Sequence, residues 1–391
     1  MDDAPQVERT QIGKAWLLST GHGVTDMYAA FLAGLGPVIK ERLVLSNALY
    51  GSLGTIFSLT CNLSQPIWGY LSDKVGGRAA AAIGTILAGV FMVALLRAHS
   101  YAVIAACVLA AGLGVAMFHP VSASMLGSVS GRRRGLAMGL LSAGGAVGFS
   151  MGPLLAVTAY QHLPGATAWL AVIPALLMAG ALQAWAPPAP VAEGRERGST
   201  RRAILPQWRP LLLVTLVVAA RAGVVNSFHL FVPVMLRAEG RSLYGAAFAD
   251  TVFIFAGAFS GLVCGHLADR FGGRAVTVAT LLGATPALLL FLNAHGVLAL
   301  VFFGLGGALV SAAVPVNIVM AQEIVPTRAG IASSLAMGVA WGAGGFLVTP
   351  VGWLADVAGY RAALTLVAWL AVIGALLCLP LRRQDSNGAA G

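Results

Sequence analysis

The chain has 391 residues, of which 24 Lys and Arg and 14 Asp and Glu make up only 10%, against 58% hydrophobic residues. A water-soluble domain carries about 25% charged residues, so this chain cannot cover a solvated surface and reads as an integral membrane protein. The net charge of +10 sits in short clusters between long uncharged stretches, which excludes a nucleic-acid-binding face and a disordered chain.

A helix that crosses the hydrocarbon layer needs about 20 mostly apolar residues. Twelve such stretches run in chain order at roughly 13–38, 47–72, 78–97, 101–128, 135–159, 166–187, 210–236, 244–268, 275–294, 297–323, 330–355 and 361–380. The predicted fold class is therefore all-α integral membrane. Met1 is followed by Asp2, Asp3 and Glu8 and then by an uninterrupted first span, so no cleavable signal is read and the N-terminus is expected in the cytosol. With both termini inside, the cytoplasmic segments hold 17 Lys and Arg, the outer loops 6, and one, Arg221, lies inside a span. This is the bias expected when positive residues gather on the cytoplasmic side, here of a cell's inner membrane. Cys61, Cys107, Cys264 and Cys378 all fall in apolar runs without CxxC or His at ligand spacing, so they read as packing, and no metal or other cofactor is expected.

The only long polar stretch between spans begins at Pro187-Pro188 and runs through Glu193, Arg195, Glu196 and Arg197 to Arg201-Arg202. It predicts a cytoplasmic linker at 188–208 between an N-terminal bundle at 1–187 and a C-terminal bundle at 209–391. The two halves echo each other. Gly69-Tyr70-Leu71-Ser72-Asp73-Lys74-Val75-Gly76-Gly77-Arg78 returns 196 residues later as Gly265-His266-Leu267-Ala268-Asp269-Arg270-Phe271-Gly272-Gly273-Arg274. Gly36-Pro37 returns as Val232-Pro233, and Gly148-Phe149-Ser150-Met151-Gly152-Pro153 returns as Gly345-Phe346-Leu347-Val348-Thr349-Pro350. Six spans separate each pair, which implies two six-helix bundles of like orientation about a pseudo-two-fold axis normal to the membrane.

With these residues the chain resembles the major facilitator superfamily of transporters, whose loop pattern Gly-x-x-x-Asp-(Arg/Lys)-x-Gly-x-Arg it carries in both halves. More narrowly, His22-Gly23-Val24-Thr25-Asp26-Met27-Tyr28, Gln65-Pro66 and Phe118-His119-Pro120 resemble the fosmidomycin-resistance-like branch. That resemblance implies efflux of a small organic compound driven by inward proton flow, by alternating access. The chain departs from its relatives in three places: Gly77 and Gly273 stand where many members carry Arg, Val108 stands where many proton-coupled exporters carry an Arg, and the span-five Gly148-x-x-x-Gly152-Pro153 lacks its trailing Gly pair. Two glycines four apart also serve helix packing in any membrane bundle.

In the motif loops, a carboxylate at Asp73 or Asp269 can cap the N-terminus of a helix beginning on the same side. Asp73 would face the helix starting near Gly330, and Asp269 the one starting near Gly135. Gly69, Asp73, Lys74, Arg78, Gly265, Asp269, Arg270 and Arg274 thus form a candidate conformational latch, against the plainer reading of ion pairs within each loop.

An ionisable group at mid-bilayer is costly and is read as functional by default. Asp26 lies 13 residues into span one, about 20 Å along it, and His22 lies one turn earlier on the same face. They are the candidate proton-coupling pair, with a structural carboxylate as the alternative. Arg221 cannot shed its proton and must face either Asp26 across the axis or an anionic substrate. His119, Tyr28, Asn226, Asn317 and Gln65 complete the candidate substrate-binding set. His119 has the alternative of satisfying a carbonyl freed by Pro120. His229 and His266 read as packing or surface. Trp341, Phe346 and Phe31 read as cavity lining or packing.

These residues predict a proton-coupled secondary transporter that exports a small drug-like or anionic compound. Its partners are that compound, protons and the bilayer; no nucleic acid is expected, and the chain is expected to act as a monomer. The rivals are an uptake symporter on the same fold and a non-transporting receptor or scaffold. No Ser/His/Asp set and no paired carboxylates point to an enzyme.

Overall fold

The computed structural model describes residues 4–68, 71, 76–130, 134–189 and 204–381. The linker core at 190–203 and the motif residues Gly69, Asp73 and Lys74 lie outside them. The described chain is helical throughout. Ten segments in it are long and apolar enough to cross a bilayer, from Gly77–Ala94 to Tyr360–Cys378. Spans one and two are the predicted stretches outside that set. Span one is divided into α1 (Ala4–Ala29) and α2 (Phe31–Leu43), and α3 (Asn47–Leu63) opens span two.

The first half of the chain continues with α4 (Gly77–Ala94), α5 (Tyr101–Val129), α6 (Arg134–His162) and α7 (Ile173–Trp185). The second half carries α8 (Trp208–Ala238), α9 (Leu243–Phe271), α10 (Gly273–Asn293), α11 (Gly296–Ala312), α12 (Val314–Ile324), α13 (Ala329–Ser334), α14 (Ala340–Phe346), α15 (Val348–Ala358) and α16 (Tyr360–Cys378). Span ten breaks at Ala313, ahead of Pro315, into α11 and α12. Span eleven contains a π turn at Leu335–Val339 between α13 and α14. The turn ends two residues before Trp341, and the extra residue it accommodates rotates the face that α14 presents, a device common beside functional sites.

The chain forms two compact units, 1–44 with 63–195, and 45–62 with 196–391. The stretch 45–62 packs with the second unit. The local reason is the smooth face of α3. A Cβ added at Gly51 would come within 2.7 Å of the Val348 carbonyl, and one at Gly54 within 2.6 Å of Leu230. Polar contacts fasten the same face: the Thr55 hydroxyl donates to the Gly345 carbonyl at 3.0 Å and pairs with the Thr349 hydroxyl at 2.8 Å.

The repeated motif is also repeated as backbone. Gly76 and Gly272 both take positive φ, 89° and 85°, at the entry to the next helix, a conformation that favours glycine. The departures at Gly77 and Gly273 have a packing reason. A Cβ at Gly77 would fall 2.9 Å from Met125 Cε, and one at Gly273 3.1 Å from Met320 Cγ. Arg78 donates through Nε to the Ala186 carbonyl at 2.5 Å, a cation on the last carbonyls of α7. Asp269 and Arg270 are exposed.

In the first unit α6 lies closely against α1. Cβ atoms at Gly144, Gly148 and Gly152 would overlap the backbone of Ser19, Gly23 and Met27 respectively, and a Cβ at Gly34 would lie 2.7 Å from Pro153 Cα. Gly148, Gly152 and Pro153 are thus helix-packing residues in this structure. Gly148→Leu is expected to destabilise the first unit by ~1–3 kcal/mol, the usual cost of overpacking. Thermal unfolding in detergent checks this. The same substitution at Gly139, where a Cβ meets nothing within 4 Å, is expected to be silent.

Candidate functional site

The close α1–α6 approach brings His22 to the α6 backbone. Its Nδ1 lies 2.8 Å from the Leu141 carbonyl, and Gly145 leaves room for the ring, since a Cβ there would lie 2.5 Å from His22 Cε1. A carbonyl can only accept, so Nδ1 carries a hydrogen. His22 Nε2 then faces Asp26 Oδ2 at 3.2 Å, one turn along the same helix. The other carboxylate oxygen, Oδ1, lies 2.9 Å from His119 Nε2 on α5. The side chains of His22, Asp26 and His119 are 17%, 15% and 27% exposed, so the cluster is neither sealed nor freely solvated.

With His22 neutral and its hydrogen on Nδ1, Nε2 and Asp26 Oδ2 would be two acceptors in contact. The contact is favourable only when one proton lies between them, on the imidazole or on the carboxyl. His119 holds the opposite side of the carboxylate. The three ligand-type atoms lie within 4.8 Å of one another, a set of two imidazoles and a carboxylate that a transition ion also suits. The observed 2.9 and 3.2 Å separations are hydrogen-bond distances that a proton satisfies.

In the second unit Arg221 is fully buried on α8. Its guanidinium carbon lies 4.8 Å from the centroid of the Trp341 ring, a cation–π contact. Its Nε and Nη1 make no hydrogen bond among the described residues. The Trp341 carbonyl accepts from the Ser58 hydroxyl at 3.3 Å, which steadies the ring's backbone. A guanidinium so placed leaves Nε and Nη1 as open donors among the described residues, with one face stacked on an aromatic ring.

The remaining candidates divide. Tyr28 is fully buried against Phe31, and its hydroxyl donates to the Ala171 carbonyl at 2.7 Å. Its polar atom is thus used inside the bundle. Asn317 is also buried, with Oδ1 accepting from the Thr277 hydroxyl at 2.9 Å, so it ties α12 to α10. Asn226 and Gln65 are half-buried. His119 places its Nε2 on Asp26. Phe31 is buried and Phe346 is 60% exposed.

Sequence reasoning missed one ionisable group altogether. Asp250, on α9, is fully buried and pairs with His229, whose Nδ1 lies 3.0 Å from Oδ1 and 2.9 Å from Oδ2. The packing reading of His229 is therefore corrected. The signal was present, since Asp250 falls inside the predicted eighth span.

Comparison with known proteins gives the family. The model described as Major Facilitator Superfamily matches residues 18–249 and 231–391. The fosmidomycin resistance protein of Escherichia coli (strain K12) is 28% identical over 396 residues, covering 96% of this chain and 95% of that one. An uncharacterized MFS-type transporter of Bacillus subtilis (strain 168) is 28% identical over 92% of this chain and 90% of its own. Among solved structures, a nucleoside transporter superposes with a TM-score of 0.78 at 13% identity, over 94% of this chain and 99% of that chain. A bacterial homolog of the lysosomal transporter Spinster, inward-facing and unoccupied, gives 0.75 at 16% identity, over 95% and 96%. Matched along nearly its whole length, the chain belongs to the major facilitator superfamily, as a multi-pass membrane transporter and not an enzyme.

Proposed function

We propose that this transporter exports a small organic anion in exchange for protons moving inward. In this reading twelve spans form two six-helix bundles about a pseudo-two-fold axis in the inner membrane. Both termini and the 188–208 linker are cytoplasmic, and the chain works as a monomer. The observation that carries the proposal is the Asp26 carboxylate held between two imidazoles, with a contact to His22 that is favourable only when a proton occupies it. Asp26 with His22 is the proton-coupling pair, and His119 supports it from α5. Arg221 is the anion-binding group: a buried guanidinium with open Nε and Nη1 gains most from an anion. The relative named for fosmidomycin resistance supports the outward direction. Asp73, outside the described residues, and Asp269, with the basic residues of their loops, close the cytoplasmic side as helix-capping latches.

Everted membrane vesicles test direction and coupling together, with fosmidomycin as the probe. An exporter loads them when their interior is acid and stops when the pH gradient is collapsed. Loading that is indifferent to the gradient, or that needs an alkaline interior, would overturn the reading; an alkaline requirement would favour the uptake symporter.

A further inference from the structure

The second unit holds an ionisable pair with no part in the proposed exchange. Asp250 is fully buried, and its two oxygens share a single visible donor, His229 Nδ1, at 3.0 and 2.9 Å. One N–H cannot satisfy both oxygens, and Oδ2 makes no hydrogen bond of its own among the described residues. The neighbouring Ser227 and Thr251 bury hydroxyls that likewise make none. A buried carboxylate with an open acceptor is an unfavourable state for a charge and a favourable one for a bound proton.

From α3, Tyr50 lies within electrostatic reach of Asp250, is fully buried, and sets its ring edge-on to Phe231 at 6.0 Å. Tyr360, on α16, is within reach of Tyr50. Arg221 lies on the same helix as His229, eight residues and about 12 Å along the axis. The α10 and α11 sides present the aromatic rings Phe291 and Phe303, which pack with Phe228 and Phe253.

The end of α3 that carries Tyr50 is itself pinned. The Asn47 and Ala48 amides donate to Asp356 Oδ1 and Oδ2 at 2.7 and 2.9 Å, so a carboxylate from α15 caps the N-terminus of α3. The Tyr360 hydroxyl donates to Asn47 Oδ1 at 2.5 Å. Tyr50 sits three residues inside this clamp.

From this geometry we infer a second proton-binding site at His229–Asp250, on the outer side under the proposed topology, shut from that side by α3 while Asp356 holds the helix. It takes up a proton when α3 lifts. No bond other than to that proton forms or breaks.

Infrared titration of the full-length protein in detergent tests this without any transported compound. Wild type and Asp26→Asn are expected to show a protonated-carboxyl band that fades as pH rises and that is absent from Asp250→Asn. His229→Gln, which keeps the carboxyl, is expected to move the midpoint of that band by a pH unit or more. Asp356→Ala is expected to speed hydrogen–deuterium exchange of the band about five- to thirtyfold, the factor that loss of a cap implies. An unchanged band in Asp250→Asn, or an unmoved midpoint in His229→Gln, would overturn the site; an unchanged exchange rate in Asp356→Ala would overturn the lid. Because no substrate is present, failure here leaves the Asp26 coupling untouched. Loss of that coupling would be read separately, from gradient-driven transport.

Discussion

Asp26→Asn is expected to abolish accumulation driven by a pH gradient while leaving substrate-for-substrate exchange in place. Each pH unit of gradient is worth about 1.4 kcal/mol per proton, or about tenfold in accumulation. A carrier that cannot exchange the proton should therefore equilibrate its substrate at a ratio of about one, whatever the gradient. The amide keeps the size of the side chain. Its NH2 can donate to an imidazole nitrogen and its oxygen can accept from His119, so the cluster stays assembled while its exchangeable proton is lost. Parallel assays of counterflow and of gradient-driven uptake in proteoliposomes separate the two properties. Full gradient-driven accumulation by Asp26→Asn would remove the carboxylate from the coupling step.

The second large effect belongs to Arg221. Truncating one partner of a buried charged contact costs ~2–5 kcal/mol, so Arg221→Ala is expected to weaken binding of an anionic substrate by roughly 30-fold to several thousandfold. Arg221→Lys keeps the charge but loses the planar fork and the broad stacked face on Trp341, and should recover only part of the affinity. A second readout has the opposite sign. With no anion bound, Arg221 is a buried cation whose Nε and Nη1 make no hydrogen bond among the described residues, a costly arrangement only partly offset by Trp341. Arg221→Met should therefore raise the thermal stability of the substrate-free protein while abolishing anion binding. Calorimetric binding and thermal unfolding on the same preparations check both. A fall in stability with unchanged affinity would make Arg221 a structural cation instead.

Much of this molecule is written in its sequence. Hydropathy and the doubled Asp-Lys/Arg-x-Gly-Gly-Arg loop locate the helices and the repeat, because both depend on composition and on order along one chain. The His22–Asp26 pair is readable for the same reason: a spacing of four places both groups on one face of a helix. His119 is not readable as their partner, since it stands 93 residues from Asp26 and only the packing of α5 on α1 sets its position. The same blindness applies to Trp341 over Arg221, to Asp356 over the first amides of α3, and to Asp250 beside His229. In each case the depth of one residue is legible, while the rotation of two helices against each other is not. Tyr28, two residues from Asp26 along the chain, has its ring turned into the bundle with its hydroxyl on the Ala171 carbonyl.

The most direct measurement is proton release from the detergent-purified protein when fosmidomycin or another small anion is added in weakly buffered solution. Release that scales with anion binding in wild type and disappears in Asp26→Asn is the expected result. Equal release from Asp26→Asn, or binding by wild type with no proton released, would contradict a carrier that trades its Asp26–His22 proton for an anion.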